Sequence, residues 1–446
     1  MTLAWPIPPA AQQRVLRARR IGLTVGRLYL GLKANQMLAR GLSREQMRGR
    51  WQQFHRDSAE AVYEAAVELR GLILKGCQYL GARADLMPRE WVEVLARLQD
   101  RVPAHDLPVV RRVIETELGR PLEGVFRSFS ARPIASASLA QVHEAVLRDG
   151  RRVAVKVQYP EIAELVRTDL ANLRALFRAI DWLEGDFDLT ALVDEMGRYV
   201  PRELDFLAEA SNAERAARMF ADRDDVRVPA IHRAFSTRRV LVMEFIDGIK
   251  ITSRDELDAA GADVPGVVRT LVEAWCEQVL VHGFFQADPH PGNLLVERGT
   301  HKLVLLDFGL AKDLPEGFRA QVLRLLMALL RRDPAEMADV LVELGFATRD
   351  GSRESLVALA KVGLSIATEL ATRGSIGPER LEAIGEELLA EVRSKPLVRI
   401  PTHIVLLGRT LGLLSGLAQQ LDAGVDPMRI VFPYVVGGAL PVAQPA

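Results

Sequence analysis

Two short carboxylate-bearing loops lie close together in this chain and restrict what can be built around them. The segment Asp288-Pro-His-Pro-Gly-Asn293 is followed, fourteen residues after Asn293, by Asp307 in Leu305-Leu-Asp307-Phe-Gly309. An Asp and an Asn five apart in a short loop can meet at one site. There the Asp orients an attacking hydroxyl or water, and the Asn oxygen binds a metal. Asp307 ends an apolar strand, a place from which a carboxylate can bind magnesium that bridges phosphate oxygens. Alone, Asp-Phe-Gly is a weak three-residue match, because turns use such residues freely. The bland alternative is two polar turns flanking a hairpin, and the spacing of the two segments argues against it.

The rest of the chain sets these loops in a mainly helical context. Helices are expected over 10–40 and 43–80, the second opening with Ser43 and Gln46 in capping-box spacing. Further helices are expected from Pro88 to about Leu98 and over roughly 105–125. The pattern then changes: 140–148 and 152–158 alternate as strands joined by the Asp149-Gly150 turn. Helices resume at 160–183 and 189–221, and strands at about 227–234 and 239–246. A long helix over 264–283 leads into the first carboxylate loop, with short strands at 293–297 and 302–306. From Pro315 to about Ala423 the pattern is helical throughout. A β-rich section inside a helical chain fits a two-lobed α+β plan, and without regular βαβ alternation a doubly wound sheet is not expected. Four segments follow: a helical extension over 1–104, a β-rich lobe over 105–246, a helical lobe over 247–340, and a helical region over 341–446.

Composition excludes several classes. At 446 residues, 49% hydrophobic and 26% charged, the chain has the make-up of a globular protein with a large core. Basic and acidic groups balance at 58 each, which argues against nucleic acid as a partner. The two cysteines, Cys77 and Cys276, form no CxxC or disulfide framework, and a cytoplasmic setting suits them. The eight histidines are scattered, so zinc chemistry finds no support, and His143 reads as a packed strand residue. The opening stretch does not read as a secretory signal, and no apolar run is long enough for a spanning helix. Residues 1–56 nevertheless hold eleven basic side chains against the single acid Glu45, interleaved with Leu16, Leu23 and Leu28. Such a helix either presents a solvated face or lies on an anionic membrane surface, peripheral to the inner face.

The strand Val153-Ala-Val-Lys156-Val-Gln158 turns Lys156 away from the face of Val153, Val155 and Val157. Taken alone this is an ordinary surface lysine. As a phosphate ligand, Lys156 would reach the α/β-phosphates of ATP and pair with an acid on a following helix. Glu209, in Glu203-Leu-Asp205-Phe-Leu-Ala-Glu209, is that acid. Asp205 and Glu209 form a like-charged i,i+4 pair that calls for facing cations, with Lys75 beside Lys156 as the second. Lys75 and Gln78 project from one helix face. Ahead of the first strand, Ala135, Ser136, Ala137 and Ser138 stand where a glycine-rich phosphate loop is expected and let a nucleotide approach with less backbone freedom. Backbone groups from Glu244 to Ile246, at a strand-to-turn junction, are the candidates for binding adenine.

Taken together, these stretches resemble the UbiB/ADCK/AarF group of unorthodox kinases from about residue 65 to 425. The marks are Ala135-Ser-Ala-Ser138, Val-Ala-Val-Lys156, Glu203-x-Asp205 with Glu209, Asp288-Pro-His-Pro-Gly-Asn293, and the late Leu407-Gly-Arg409. The resemblance implies a predominantly helical, bilobal protein-kinase-like fold with a helical extension packed over the active site. It also implies that the family's Lys-x-Gly-Gln motif, here Lys75-Gly76-Cys77-Gln78, contacts Glu203 and Asp205 and gates the site. The expected ligands are ATP and Mg2+: Lys156 and Glu209 on the phosphates, Asn293 and Asp307 on the metal, Asp288 at the nucleophile. Isoprenoid or phenolic lipids and a biosynthetic protein complex are the expected partners, in ubiquinone-type metabolism. Two other readings stand beside this one: a non-catalytic nucleotide-binding scaffold that presents lipids, and a conventional Ser/Thr protein kinase. The absence of an Ala-Pro-Glu segment after Gly309 argues against the last.

Overall fold

The computed structural model describes residues 9–39, 41, 43–81, 87–99, 104–137, 139–184, 193, 197, 204–348, 352–373, 397–399, 401–421, 424–425, 430 and 433–434. Ser138, Glu203 and Asp422 lie outside the described residues. The chain forms two compact units, one of Met1–Glu214 with Pro229–Ile246, the other of Arg215–Val228 with Asp247–Ala446.

The first unit opens with α1 (Pro9–Leu38), α2 (Arg44–Leu69), α3 (Gly71–Gly81) and α4 (Arg89–Ala96). The expected capping box is formed, with the Gln46 N–H donating to Ser43 Oγ at 3.3 Å and the Ser43 N–H to Gln46 Oε1 at 3.2 Å. The single helix expected over 43–80 is broken, however. Arg70 and Gly71 both take positive φ, 54° and 55°. A side chain at Gly71 would press on Ile162 at 3.2 Å, so the break lets α3 turn close against α7 (Ile162–Glu184). Arg17 on α1 clasps this corner. It donates to the Leu69 carbonyl at 2.5 Å and pairs with the fully buried Asp169 of α7. Ala66, Leu69, Leu72, Leu74, Cys77, Leu95, Ile162 and Val166 share one core with Leu139 and Tyr159. The extension is thus continuous with the unit that carries the sheet.

That sheet is antiparallel in the order β1-β3-β4-β6, with β2 also on β3. Its strands are β1 (Phe126–Phe129), β2 (Ala135–Ser136), β3 (Ala140–Leu147), β4 (Arg152–Gln158) and β6 (Val240–Glu244). Gly150 turns the β3–β4 hairpin at φ 93°. α5 (Leu107–Leu118) covers one face, packing Val110, Val113 and Ile114 on Val153, Val155, Val157, Val240 and Val242. The helix Phe206–Met219 covers the other face through Phe206 and Ala210 against Ala154, Leu241 and Met243.

In the second unit the strand expected over 227–234 shrinks to β5 (Val226–Arg227), which runs parallel to β10 (Leu303–Leu305). Residues 230–232 instead lie along β6, where Ile231 forms an isolated bridge to Met243. β7 (Gly248–Lys250), β9 (Leu294–Glu297) and β10 complete a small sheet with β5. β8 (Phe284–Gln286) pairs with β11 (Ala311–Asp313). The long helix expected over 264–283 is α-helical only from Val264 to Cys276 and then widens into a π-helical turn at Glu277–Val281. Beyond Pro315 stand the helices Phe318–Leu330, Pro334–Glu343, Glu354–Arg373 and Thr402–Gln420. The expected all-helical pattern is interrupted there by a two-stranded pair, β12 (Ala347–Thr348) with β13 (Leu397–Arg399).

Arg17 therefore carries more than its share of the first unit. Replacing it by Ala strands a buried carboxylate, and a loss of about 3 kcal/mol is expected in urea unfolding. Arg19→Ala, at an exposed position of the same helix, is the control and leaves the unfolding free energy within about 0.5 kcal/mol of wild type.

Candidate functional site

In the first unit the site grows out of the two-residue period of β4. Val153, Val155 and Val157 point into the α5 core, which turns Ala154 and Lys156 to the opposite face. There Lys156 Nζ meets Glu209 Oε1 at 2.6 Å and lies 5.1 Å from the Phe206 ring. The pair is well buried, with the lysine side chain 14% and the glutamate 4% exposed. The helix that delivers Glu209 begins at Asp205, whose carboxylate accepts from the Leu207 N–H at 3.1 Å and the Ala208 N–H at 3.3 Å. The expected like-charged repulsion between Asp205 and Glu209 inside a helix is thereby corrected. Asp205 is the cap, where a carboxylate is favourable, and Arg238 lies 3.7 Å from its other oxygen.

Of the expected gating residues, Gln78 donates to the Leu98 carbonyl at 2.9 Å, and Lys75 is half-buried on the same helix. Cys77, where the family motif has glycine, fits inside the core cluster, and burial pushes its thiol up to about 12.

The alanine-rich segment is less open than a glycine loop. Ala135 and Ser136 pair with Val142 and Gln141 as β2, and the Ala137 N–H donates to the Ala140 carbonyl at 2.8 Å. Tyr159, just past β4, ties the turn down. Its hydroxyl donates to the Ala137 carbonyl at 2.9 Å and lies 2.9 Å from Ser136 Oγ. Burial raises the Tyr159 phenol above its ordinary value. Behind it, His143 lies wholly buried between Ser130 and Gln141. Its Nδ1 donates to the Ser130 carbonyl at 2.8 Å, so Nε2 accepts from the Gln141 amide at 2.8 Å. Burial pushes this imidazole down, in keeping with a neutral packed residue. At the strand end, the Glu244 N–H is given to the Ala230 carbonyl at 2.8 Å.

In the second unit Asp288 and Asp307 flank one ladder. The β8–β11 register, Gln286 opposite Ala311, runs on through a 2.8 Å bond from the Ala287 N–H to the Leu310 carbonyl. The next residues in each direction are Asp288 and the glycine of Asp307-Phe308-Gly309. The Leu306 N–H donates to the Asn293 carbonyl at 3.0 Å, a second stitch between the loops. Asn293 Nδ2 donates to the Asp288 carbonyl at 3.2 Å. Asp307 Oδ1 accepts from the Gly309 N–H at 2.8 Å, and Phe308 is fully buried. An amide oxygen and a carboxylate are hard oxygen donors of the kind magnesium takes when phosphates complete its shell.

Sequence reasoning passed over what supports these loops. Gln286 donates to the Asp307 carbonyl, while its own N–H is taken by Gln278 at 2.9 Å from the π-helical turn. Both glutamines are buried, and a Gln inside an apolar run was the available signal. Asp288 Oδ1 is held by Arg409 at 2.9 Å, from the helix Thr402–Gln420. There the signal was a lone arginine interrupting an apolar helix.

An antiparallel sheet with a buried lysine–glutamate pair, and an Asp–Asn loop stitched to an Asp-Phe-Gly turn, define a protein-kinase-like chain. The ABC1 atypical kinase-like domain profile matches residues 97–341. The chain is 33% identical over 396 residues to ACTIVITY OF BC1 COMPLEX KINASE 7, chloroplastic, of Arabidopsis thaliana, covering 88% of this chain and 56% of that protein. To AarF domain-containing protein kinase 1 of Mus musculus it is 40% identical over 285 residues, 63% of this chain and 54% of that one. The chain thus spans little more than half of either relative. A solved Mycobacterium tuberculosis structure, Rv3197 with erythromycin, shares the fold at a TM-score of 0.55 and 22% identity, over 85% of this chain and 95% of that one. The chain belongs to the ABC1 atypical kinase-like family, the UbiB/ADCK/AarF group.

Glu209→Ala leaves Lys156 buried without its anion and is expected to cost about 3 kcal/mol in chemical unfolding. The double variant Lys156→Met/Glu209→Leu removes both charges and should recover most of that loss. Equal loss in the single and double variants would mean that the pair does not set local stability.

Proposed function

We propose that this chain is a Mg-ATP-dependent atypical kinase or ATPase serving isoprenoid-quinone lipid metabolism of the ubiquinone type. The closed Lys156–Glu209 pair carries the reading, because in kinases the lysine that reaches the nucleotide phosphates must be held by a glutamate. In this reading Lys156 binds the α/β-phosphates and Glu209 keeps it extended. Asp288 orients the attacking hydroxyl or water. Asn293 Oδ1 and Asp307 would hold Mg2+, which would supply positive charge to offset that of the phosphates. Ala135, Ser136, Ala137 and Ser138 would line the nucleotide approach, and Tyr159 limits the movement of Ser136 and Ala137. The adenine falls to the Glu244 carbonyl and the Ile246 N–H, since the Glu244 N–H is committed to Ala230. Lys75, Gln78, Glu203 and Asp205 gate access. The lipid assignment comes from the family resemblance, and kinase activity is supported by the names its relatives carry.

The membrane part rests on α1. Arg17 and Arg20 are spent within the unit, on Asp169 and on Glu68 at 2.7 Å. Leu16, Leu23, Leu30 and Met37, spaced every seven residues, are 62%, 59%, 68% and 69% exposed. Exposed Arg19 and Arg27 flank them. An apolar stripe edged by arginines matches the interface of an anionic bilayer. Among the described residues no helix is long and apolar enough to cross a membrane.

Phosphate release from Mg-ATP by the purified protein tests the chemistry. Asp288→Asn and Asp307→Asn are each expected to lower kcat at least about 10²-fold. Bound nucleotide without turnover under any condition, including anionic liposomes with a phenolic lipid mimic, would install the non-catalytic scaffold reading instead. Co-sedimentation with anionic liposomes tests the membrane, where Leu23→Glu/Leu30→Glu should abolish binding. Undiminished binding would show that α1 is not the anchor.

A further inference from the structure

Helix Thr402–Gln420 lies far along the chain from the Asp288 loop, yet two consecutive residues of it meet two consecutive residues of that loop. Arg409 donates to Asp288 Oδ1 at 2.9 Å, and the buried Thr410 hydroxyl, which donates to the Leu406 carbonyl of its own helix at 2.9 Å, lies 3.3 Å from the Ala287 carbonyl. The helix is held in this register by its apolar stripe, Leu406, Leu407, Leu414, Leu417, Ala418 and Leu421, all buried. Its last turn is tied down as well, by Arg254 donating to the Leu421 carbonyl at 2.5 Å. Arg409 is therefore delivered by a braced element, with its side chain only 11% exposed.

The geometry of the pair is informative. A guanidinium and a carboxylate frequently meet as a two-pronged fork. Here one nitrogen takes one oxygen, and Arg409 Nε is buried with no hydrogen-bond partner among the described residues. A buried arginine donor left in this way carries a desolvation penalty that packing alone does not explain. The contact also falls on the one carboxylate assigned to the nucleophile, and it leaves the Oδ2 edge of Asp288 for that work.

We propose that Arg409 is a positioning residue for phosphoryl transfer: it holds the Asp288 carboxylate in its working rotamer and offsets its charge as the anionic nucleotide arrives. The inference rests on the proposed role of Asp288. Without Arg409 the carboxylate swings among rotamers and a negative charge faces incoming phosphates uncompensated, so the rate falls more than binding does.

The test is Mg-ATP turnover by the full chain with Arg409→Ala, beside wild type and Asp288→Asn. The expected result is a kcat about 10²-fold lower with KM within about threefold of wild type. Added guanidinium at sub-denaturing concentration should restore part of the rate in Arg409→Ala and none in wild type or Asp288→Asn. If the alanine variant does not fold, Arg409→Lys is measured in its place; it keeps the charge without the planar fork, and a lowered kcat at unchanged KM is again expected. Full kcat in the variant while Asp288→Asn is inactive overturns this inference alone. So does a loss of kcat that guanidinium does not restore and that follows a matching fall in Tm. An Asp288→Asn variant as active as wild type, or a wild type with no turnover, overturns the proposed function and this inference together.

Discussion

The period-two alternation of β4 is the constraint from which the first unit follows. A strand that must bury Val153, Val155 and Val157 under α5 has to turn Lys156 to the other face, where a helix waits with Phe206, Glu209 and Ala210. A one-residue slip against β3 or β6 would put three valines on the polar side and the lysine in an apolar core. The paired strands on both edges of β4 forbid that slip. The ion pair is thus a consequence of hydrophobic packing, and its position is as well determined as the core itself.

The second unit reaches its arrangement by another route. Its strands are short, three residues each in β8, β10 and β11, and although Phe284, Phe285, Leu303, Val304 and Leu305 are buried, the loops that follow them need further bonds to be placed. Order is imposed by polar bonds at buried positions: Gln278 on Gln286, Gln286 on the Asp307 carbonyl, Leu306 on Asn293. Buried hydrogen bonds are directional and costly to leave unmade, so they hold loops in place where hydrophobic contact would let them slide. The π-helical turn at Glu277–Val281 belongs to this scheme, since it sets Gln278 where the N–H of Gln286 can reach it.

Much of this was legible in the residues. The β3–β4 hairpin, the β9–β10 hairpin and the Ser43 cap stand where local pattern put them, because each depends on neighbours within a few positions. The corrections fall where a distant contact wins. The helix expected over 43–80 breaks at Arg70–Gly71 because α7 packs against the corner and Arg17 takes the Leu69 carbonyl. The strand expected over 227–234 is claimed at its two ends by β10 and by β6, which leaves it no continuous partner. Asp205, read as a strained neighbour of Glu209, is the cap that starts the helix.

By itself the sequence determined the identity and spacing of Lys156, Glu209, Asp288, Asn293 and Asp307, and with them the family, because those motifs are short and contiguous. The tertiary structure alone decided how the residues are held: Tyr159 across the alanine-rich turn, the glutamine relay beneath Asp307, and Arg409 against Asp288, 121 positions away. The reason is physical. A side chain's chemistry is written at its own position, whereas its rotamer and its partner are settled by whichever segment the hydrophobic core brings alongside, and that depends on the packing of the whole unit.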